Sequence, residues 1–134
     1  MNCILLVDDN AADNYYNQYI INDAGVCNHI QTAINGIEAL AYLRKAGEEN
    51  QSESFPKPDI IFLDINMPKM NGFEFLAEYK NLDERLKSKV LIVMLTTSLN
   101  PEDQKKAKAF NEVNEYKHKP LTYEMLKEII EKYF

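Results

Sequence analysis

The chain has 134 residues, a natural length for one domain with a buried core of its own. Hydrophobic residues make up 46% and charged residues 27%, an ordinary globular balance. The formal net charge of −6 argues against a nucleic-acid binder driven by phosphate contacts, and no apolar run approaches the ~18 residues of a membrane span.

The first apolar run, Cys3 to Val7, reads as a strand ended by Asp8-Asp9-Asn10. It begins almost at Met1, so no secretory leader is expected, the location is read as cytoplasmic, and Cys3 and Cys27 as reduced thiols. Asn10 is a good cap for a helix over 11–24, with Tyr16, Ile20 and Ala24 facing the sheet, Tyr19 beside them, and Gly25 as its stop. A second strand is predicted over 29–33. Asn35-Gly36 then opens a helix whose apolar face is Ile37, Leu40, Ala41 and Leu43.

Residues 47–58 form a polar loop, long for a compact α/β domain. A third strand over 59–63 is apolar throughout after Asp59 and reads as buried on both faces. Asn71 caps a helix carrying Phe73, Phe75, Leu76 and Tyr79, which continues or breaks near Asp83. The fourth strand, 90–95, ends in Thr96-Thr97-Ser98, and Asn100-Pro101-Glu102-Asp103 starts another helix. An edge-like strand over 112–117 is broken at Lys119-Pro120. Thr122 caps a last helix with Met125, Leu126, Ile129, Ile130 and Tyr133 inward. Lys105, Lys106 and Lys108 read as a solvated helix face.

Strand and helix alternate five times, which predicts an α/β fold, a doubly wound five-stranded parallel sheet with helices on both faces. Ligands of such sheets bind beyond the carboxyl ends of the strands, near a switch in strand order. Asp8, Asp9, Asp64, Thr96 and Lys119 all stand at strand ends. Singly each has a bland explanation: a capping pair, a turn residue ahead of Pro68, a loop threonine, an exposed lysine. Together, on four strands of one sheet, they read as a site.

Three carboxylates at one edge repel, by about 4 kcal/mol for two charges ~4 Å apart at an effective dielectric near 20. They need a counter-ion or raised pKa values. Oxygen ligands with room for water suit Mg²⁺ (or Mn²⁺), while the two histidines and two cysteines lack zinc spacing. A hydroxyl and an ammonium beside them suit phosphoryl transfer, with Asp64 as nucleophile, Lys119 as positive charge and Thr96 as hydrogen-bond donor. Tyr116 reads equally as edge-strand packing or as a mobile aromatic, and Met67 and Met70 as loop packing.

Four stretches carry a family resemblance: Leu-Val-Asp-Asp at 6–9, Asp-Ile-Asn-Met-Pro-Lys-Met-Asn-Gly at 64–72, Leu-Thr-Thr-Ser at 95–98 and Tyr-Lys-His-Lys-Pro at 116–120. Over almost its whole length the chain resembles the receiver domains of two-component response regulators, most of all the single-domain, chemotaxis-protein type. The resemblance implies a flavodoxin-like fold. It implies that Asp64 accepts the phosphoryl group and that Asp8 and Asp9 hold Mg²⁺ with the backbone carbonyl of Asn66. It implies further that Thr96 and Tyr116 form a switch pair, that Lys119 pairs with the phosphate, and that its bond to Pro120 is cis.

The partners so implied are a histidine kinase or histidine phosphotransfer protein as donor and a downstream protein as target. Direct nucleic-acid contact and membrane insertion are not expected, and phosphorylation-dependent homodimerisation is left open. Nothing follows Phe134, so residues 1–134 are expected to act as one receiver without an output domain, by self-phosphorylation and self-dephosphorylation rather than as a conventional enzyme. Three features depart from the family pattern: the long 47–58 loop, an extra residue near Asn111-Glu112-Val113, and Thr97 directly after Thr96. A haloacid-dehalogenase-type phosphohydrolase is disfavoured because Asn66 stands where its second aspartate belongs. A degenerate receiver is disfavoured because Asp9, Asp64 and Lys119 are all present, and a dinucleotide fold because the four glycines never cluster.

Overall fold

The computed structural model describes residues 1–48 and 54–134. In chain order the elements are β1 (Cys3–Val7), α1 (Ala11–Ala24), β2 (His29–Ala33), α2 (Gly36–Ala46), β3 (Ile60–Leu63), α3 (Gly72–Tyr79), α4 (Glu84–Lys87), β4 (Leu91–Thr96), α5 (Pro101–Lys108), β5 (Val113–His118) and α6 (Tyr123–Tyr133). The five strands pair in parallel in the order β2-β1-β3-β4-β5. The apolar runs β1, β3 and β4 are buried along their full length and take the centre. The more polar β2 and β5, mostly half-buried, form the edges. A strand without polar side chains is stable only where both faces are covered.

Side chains alternate between two cores. Leu5, Val7, Ile61 and Leu63 pack with Leu40 and Leu43 of α2, Phe75 and Leu76 of α3, and Ala107 of α5. Ile4, Leu6, Ile60 and Phe62 pack on the other face with Ile20 and Ile21 of α1 and Leu126 and Ile129 of α6. This is the doubly wound arrangement expected from the alternation of elements.

Helix starts follow local chemistry. The side chains of Asn10, Asn35, Asn71, Asn100 and Thr122 each accept a backbone N–H of the first turn they cap. At Asn71 the cap is reciprocal, because Glu74 returns a bond to the Asn71 N–H at 3.0 Å. Gly25, at φ 66, ends α1 in the left-handed conformation. The third helix breaks, and Asp83 caps the separate turn α4.

Helix phase differs from expectation in two places. In α1 the buried residues are Asn14, Asn17, Ile20 and Ile21, while Tyr16, Tyr19 and Ala24 are exposed. Asn14 Nδ2 donates to the Asp8 carbonyl at 2.8 Å, so a polar side chain holds the inner face and the tyrosines rotate outward. In α2 the inner residues are Gly36, Ala39, Leu40, Tyr42 and Leu43, while Ile37 and Ala41 are exposed. Gly36 fixes that phase. Its N–H donates to the Met70 carbonyl at 3.0 Å, and a Cβ there would stand 2.6 Å from Met70 Cγ. With position 36 inward, 39, 40 and 43 follow on the same face.

The last three strands begin one residue later than expected. Asp59 precedes β3 and spends its carboxylate on the N–H groups of Asn2 and Cys3, at 2.8 and 3.3 Å. Next to the extra residue read before the fifth strand, β5 itself carries a β-bulge. Ile92 pairs with Val113 but Val93 pairs with Glu115, leaving Asn114 out of register. Asn114 Oδ1 accepts the Ile92 N–H at 2.9 Å in place of a ladder bond.

Of the 47–58 loop, residues 49–53 lie outside the described residues. Its far end is tied to α2, where Tyr42 donates to the Pro56 carbonyl at 2.6 Å and its ring packs edge-on against Phe55. Met67 and Met70 pack against the first core as expected. Lys106 of the exposed basic run lies over the Phe73 ring at 4.7 Å. Both cysteines are free. Among the described residues, no helix is long and apolar enough to cross a membrane.

Candidate functional site: a carboxylate cluster at the sheet edge

The site is built by continuation of the ladder past the strands. The Asp8 N–H donates to the Ala33 carbonyl at 2.9 Å, and the Asp64 N–H to the Val7 carbonyl at 3.0 Å. These bonds hold the two acids side by side at the carboxyl ends of β1 and β3. Asp8 is 4% exposed and Asp64 8%. One oxygen from each of Asp8, Asp9 and Asp64 falls within 4.8 Å of the others, with Asp9 the exposed member.

Lys119 reaches the cluster from the far side. Its N–H donates to the Thr96 carbonyl at 2.9 Å, and the Lys119–Pro120 bond is cis. Its Nζ stands 2.5 Å from Asp8 Oδ2, 2.7 Å from Asp13 Oδ2 and 3.4 Å from Asp64 Oδ2. Burial alone lowers the affinity of this ammonium for its proton. Hydrogen bonds to Asp13 and Asp8 and the charge of Asp64 outweigh that, so its pKa is raised. Asp64 shifts upward too. Burial and the charge of Asp8 push its carboxyl pKa up, against the pull of Lys119 and the Ile65 N–H.

The loop after β3 folds tightly under Asp64. Asp64 Oδ1 accepts the Ile65 N–H at 2.9 Å, and the Gly72 N–H returns to the Ile65 carbonyl at 2.8 Å. A Cβ on Gly72 would sit 2.3 Å from the Asp64 carbonyl oxygen, so glycine is required there by close backbone approach. Asn66 is exposed two residues past Asp64.

Thr96 and Thr97 differ sharply. Thr96 is fully buried and its Oγ1 accepts the Ser98 N–H at 3.1 Å, whereas Thr97 is exposed. Ser98 in turn donates to Asp103 Oδ2 at 2.6 Å. Tyr116 pairs with Met94 across the ladder, and its ring meets His118 edge-on. Among the described residues no partner stands at hydrogen-bond distance from its buried hydroxyl, and burial, then the charge of Asp103, raises its pKa against the pull of the nearby Ser98 hydroxyl.

Two neighbours escaped the sequence reading. Asp13 lies one helical turn after Asp9, and side chains of a helix lean toward its N-terminus, so this spacing is the signal for it. Asn14 holds the Asp8 carbonyl, and its own Oδ1 is buried without a partner among the described residues.

The donor set fits a hard divalent cation, since it consists of carboxylate oxygens with one open, exposed member. It does not fit a thiolate or imidazole metal, because no cysteine or histidine stands among these residues.

Comparison with known proteins agrees with this geometry. The response regulator receiver domain family matches residues 4–131. Chemotaxis protein CheY of Pseudomonas aeruginosa is 36% identical over 131 residues, 98% of this chain and 94% of that one. Response regulator Rcp1 of Synechocystis sp. is 38% identical over 100 residues, 75% of this chain and 65% of Rcp1, so the match leaves about a third of that relative uncovered. A two-component response regulator from Cytophaga hutchinsonii superposes with a TM-score of 0.84 at 33% identity, over 98% of this chain and 96% of that one. The Mn²⁺-bound form of Rcp1 superposes at 0.71 and 30% identity, over 97% and 89%. With its parallel sheet, its acid cluster at the strand ends and this family match, the chain belongs to the response regulator receiver family and is a phospho-accepting module of two-component signalling.

Proposed function

We propose that Asp64 is the phosphoacceptor and that Lys119, Thr96 and Tyr116 convert its modification into a change of surface. The observation that carries this is the Asp64 carboxylate, buried at the end of an all-apolar strand, with Lys119 Nζ at 3.4 Å and two further carboxylates at hand. A nucleophile held so rigidly needs little reorganisation to meet an incoming phosphorus.

An Asp64 oxygen attacks the phosphorus of a phosphohistidine. The new O–P bond forms as the N–P bond breaks, and the electron pair stays on the imidazole nitrogen, which takes up a proton. Lys119 balances charge on the phosphoryl oxygens. The Thr96 hydroxyl leaves the Ser98 N–H and donates to the phosphoryl group, and the Tyr116 ring follows it inward. Water later attacks phosphorus: its O–P bond forms as the Asp64 O–P bond breaks, which frees the Asp64 carboxylate and yields inorganic phosphate.

Asp8, Asp9 and Asp64, with the backbone carbonyl of Asn66, would hold Mg²⁺ or Mn²⁺. When bound, this ion supplies positive charge against the carboxylates and the transferring group. The donor is a histidine kinase or a histidine phosphotransfer protein. Output is by protein–protein contact, from a single receiver unit in the cytoplasm.

The test is exposure to a small acyl phosphate donor with Mg²⁺, read as added phosphoryl mass. Labelling is expected with Mg²⁺ and not after full chelation. Labelling that persists under chelation contradicts the metal role. Steady turnover of sugar phosphates would instead mark a conventional phosphohydrolase.

A further inference from the structure

We propose that Asp13 is a positioning residue that anchors Lys119 in the resting state and competes with the phosphoryl group for it. The inference rests on the phosphoacceptor reading of Asp64. An ammonium has three N–H donors, and here three carboxylates take them. Asp8 and Asp13 stand at 2.5 and 2.7 Å, while Asp64 is the distant partner at 3.4 Å. Lys119 therefore leans away from the residue it is meant to serve.

The three partners are not equivalent. Asp8 and Asp64 belong to the cluster that fits a divalent cation, and a cation there would take over their charge. Asp13 lies outside that cluster. Its pull on Lys119 persists with the cation in place. Its backbone is also fixed, because the Asp13 N–H donates to Asn10 Oδ1 at 3.0 Å in the cap of α1. A phosphoryl group on Asp64 must draw the ammonium off a carboxylate held on a rigid helical turn. Asp13 thus weakens the site for phosphoryl-type anions and restores Lys119 when the anion leaves.

An acid in the first turn of a helix has a plainer role as well, since its charge interacts favourably with the helix dipole. That role does not depend on Lys119 and does not alter anion affinity, so the two are separable.

The experiment is equilibrium binding of beryllofluoride, a tetrahedral phosphoryl mimic, in saturating Mg²⁺. Asp13→Asn is expected to tighten binding about three- to tenfold, while Asp13→Glu stays near the wild type. Thermal unfolding without ligand gives the second measurement, as a double-mutant cycle with Lys119→Met. Asp13→Asn is expected to lower Tm by about 2–4 °C in the wild-type background and by less than about 1 °C with Lys119→Met. Unchanged affinity in Asp13→Asn, or an equal loss of Tm in both backgrounds, overturns the anchor. A wild type that binds no beryllofluoride removes the phosphoacceptor reading itself, and the anchor with it.

Discussion

β3 and β5 end at the same edge of the sheet, yet they are built in opposite ways. β3 is four buried apolar residues, paired on both sides, and it delivers Asp64. β5 is an edge strand with a bulge at Asn114, half-buried along most of its length, and it carries Tyr116. The first is a mount that resists displacement. Among the described residues the second has one unpaired side and a tyrosine hydroxyl with no partner, so it has somewhere to go. On the proposed reading, Asp64 needs the fixed place for chemistry and Tyr116 the loosely held place that registers it.

The contrast is sharpest in stability. Phe75 is fully buried under β3 and stacks on Tyr79 at 5.6 Å between centroids. Phe75→Ala is expected to cost about 3–5 kcal/mol in denaturant unfolding. A cost below about 1 kcal/mol would show that the mount is not rigid.

A smaller effect of opposite sign is expected at the acid itself. The carboxyl pKa of Asp64 is raised in the fold, so the folded chain holds that proton more tightly than the unfolded chain does. The charged form therefore carries a penalty above the raised pKa, and the penalty fades as pH falls through it toward the ordinary value near 3.8. Asp64→Asn, measured without divalent ions, should be more stable than the wild type at neutral pH, net of the lost 3.4 Å contact to Lys119, and that gain should fade as pH falls toward 4. A gain that grows toward low pH would reverse the assigned sign.

The smallest effect belongs to the edge. Removing an unsatisfied buried hydroxyl relieves its desolvation cost, so Tyr116→Phe should leave stability unchanged or raise it by up to about 1 kcal/mol. A clear loss would mean that the hydroxyl is bonded in the resting protein and that β5 is less free than β3 makes it look.

What the sequence disclosed follows the same division. Strand cores, helix caps at Asn10, Asn71, Asn100 and Thr122, and the strand-end acids depend on neighbours along the chain, and all were legible. Helix phase was not. The outward tyrosines of α1 depend on Asn14 meeting the Asp8 carbonyl, and the inward Gly36 of α2 depends on Met70 from another loop. Asp13 was missed for a related reason. Its importance comes from Lys119, which is 106 positions away in sequence and arrives only when β5 docks. The bulge at Asn114 lies close to the extra residue read near Asn111-Glu112-Val113, but it shows only in the register against β4.

The most direct test of the phosphoacceptor is to map the label. The protein is treated with a small acyl phosphate and Mg²⁺, digested, and the modified peptide located by mass. One hydroxylamine-sensitive phosphoryl group on the peptide containing Asp64, absent from Asp64→Asn, is the expected result. Undiminished labelling of Asp64→Asn, or a label mapped to another residue, would contradict it.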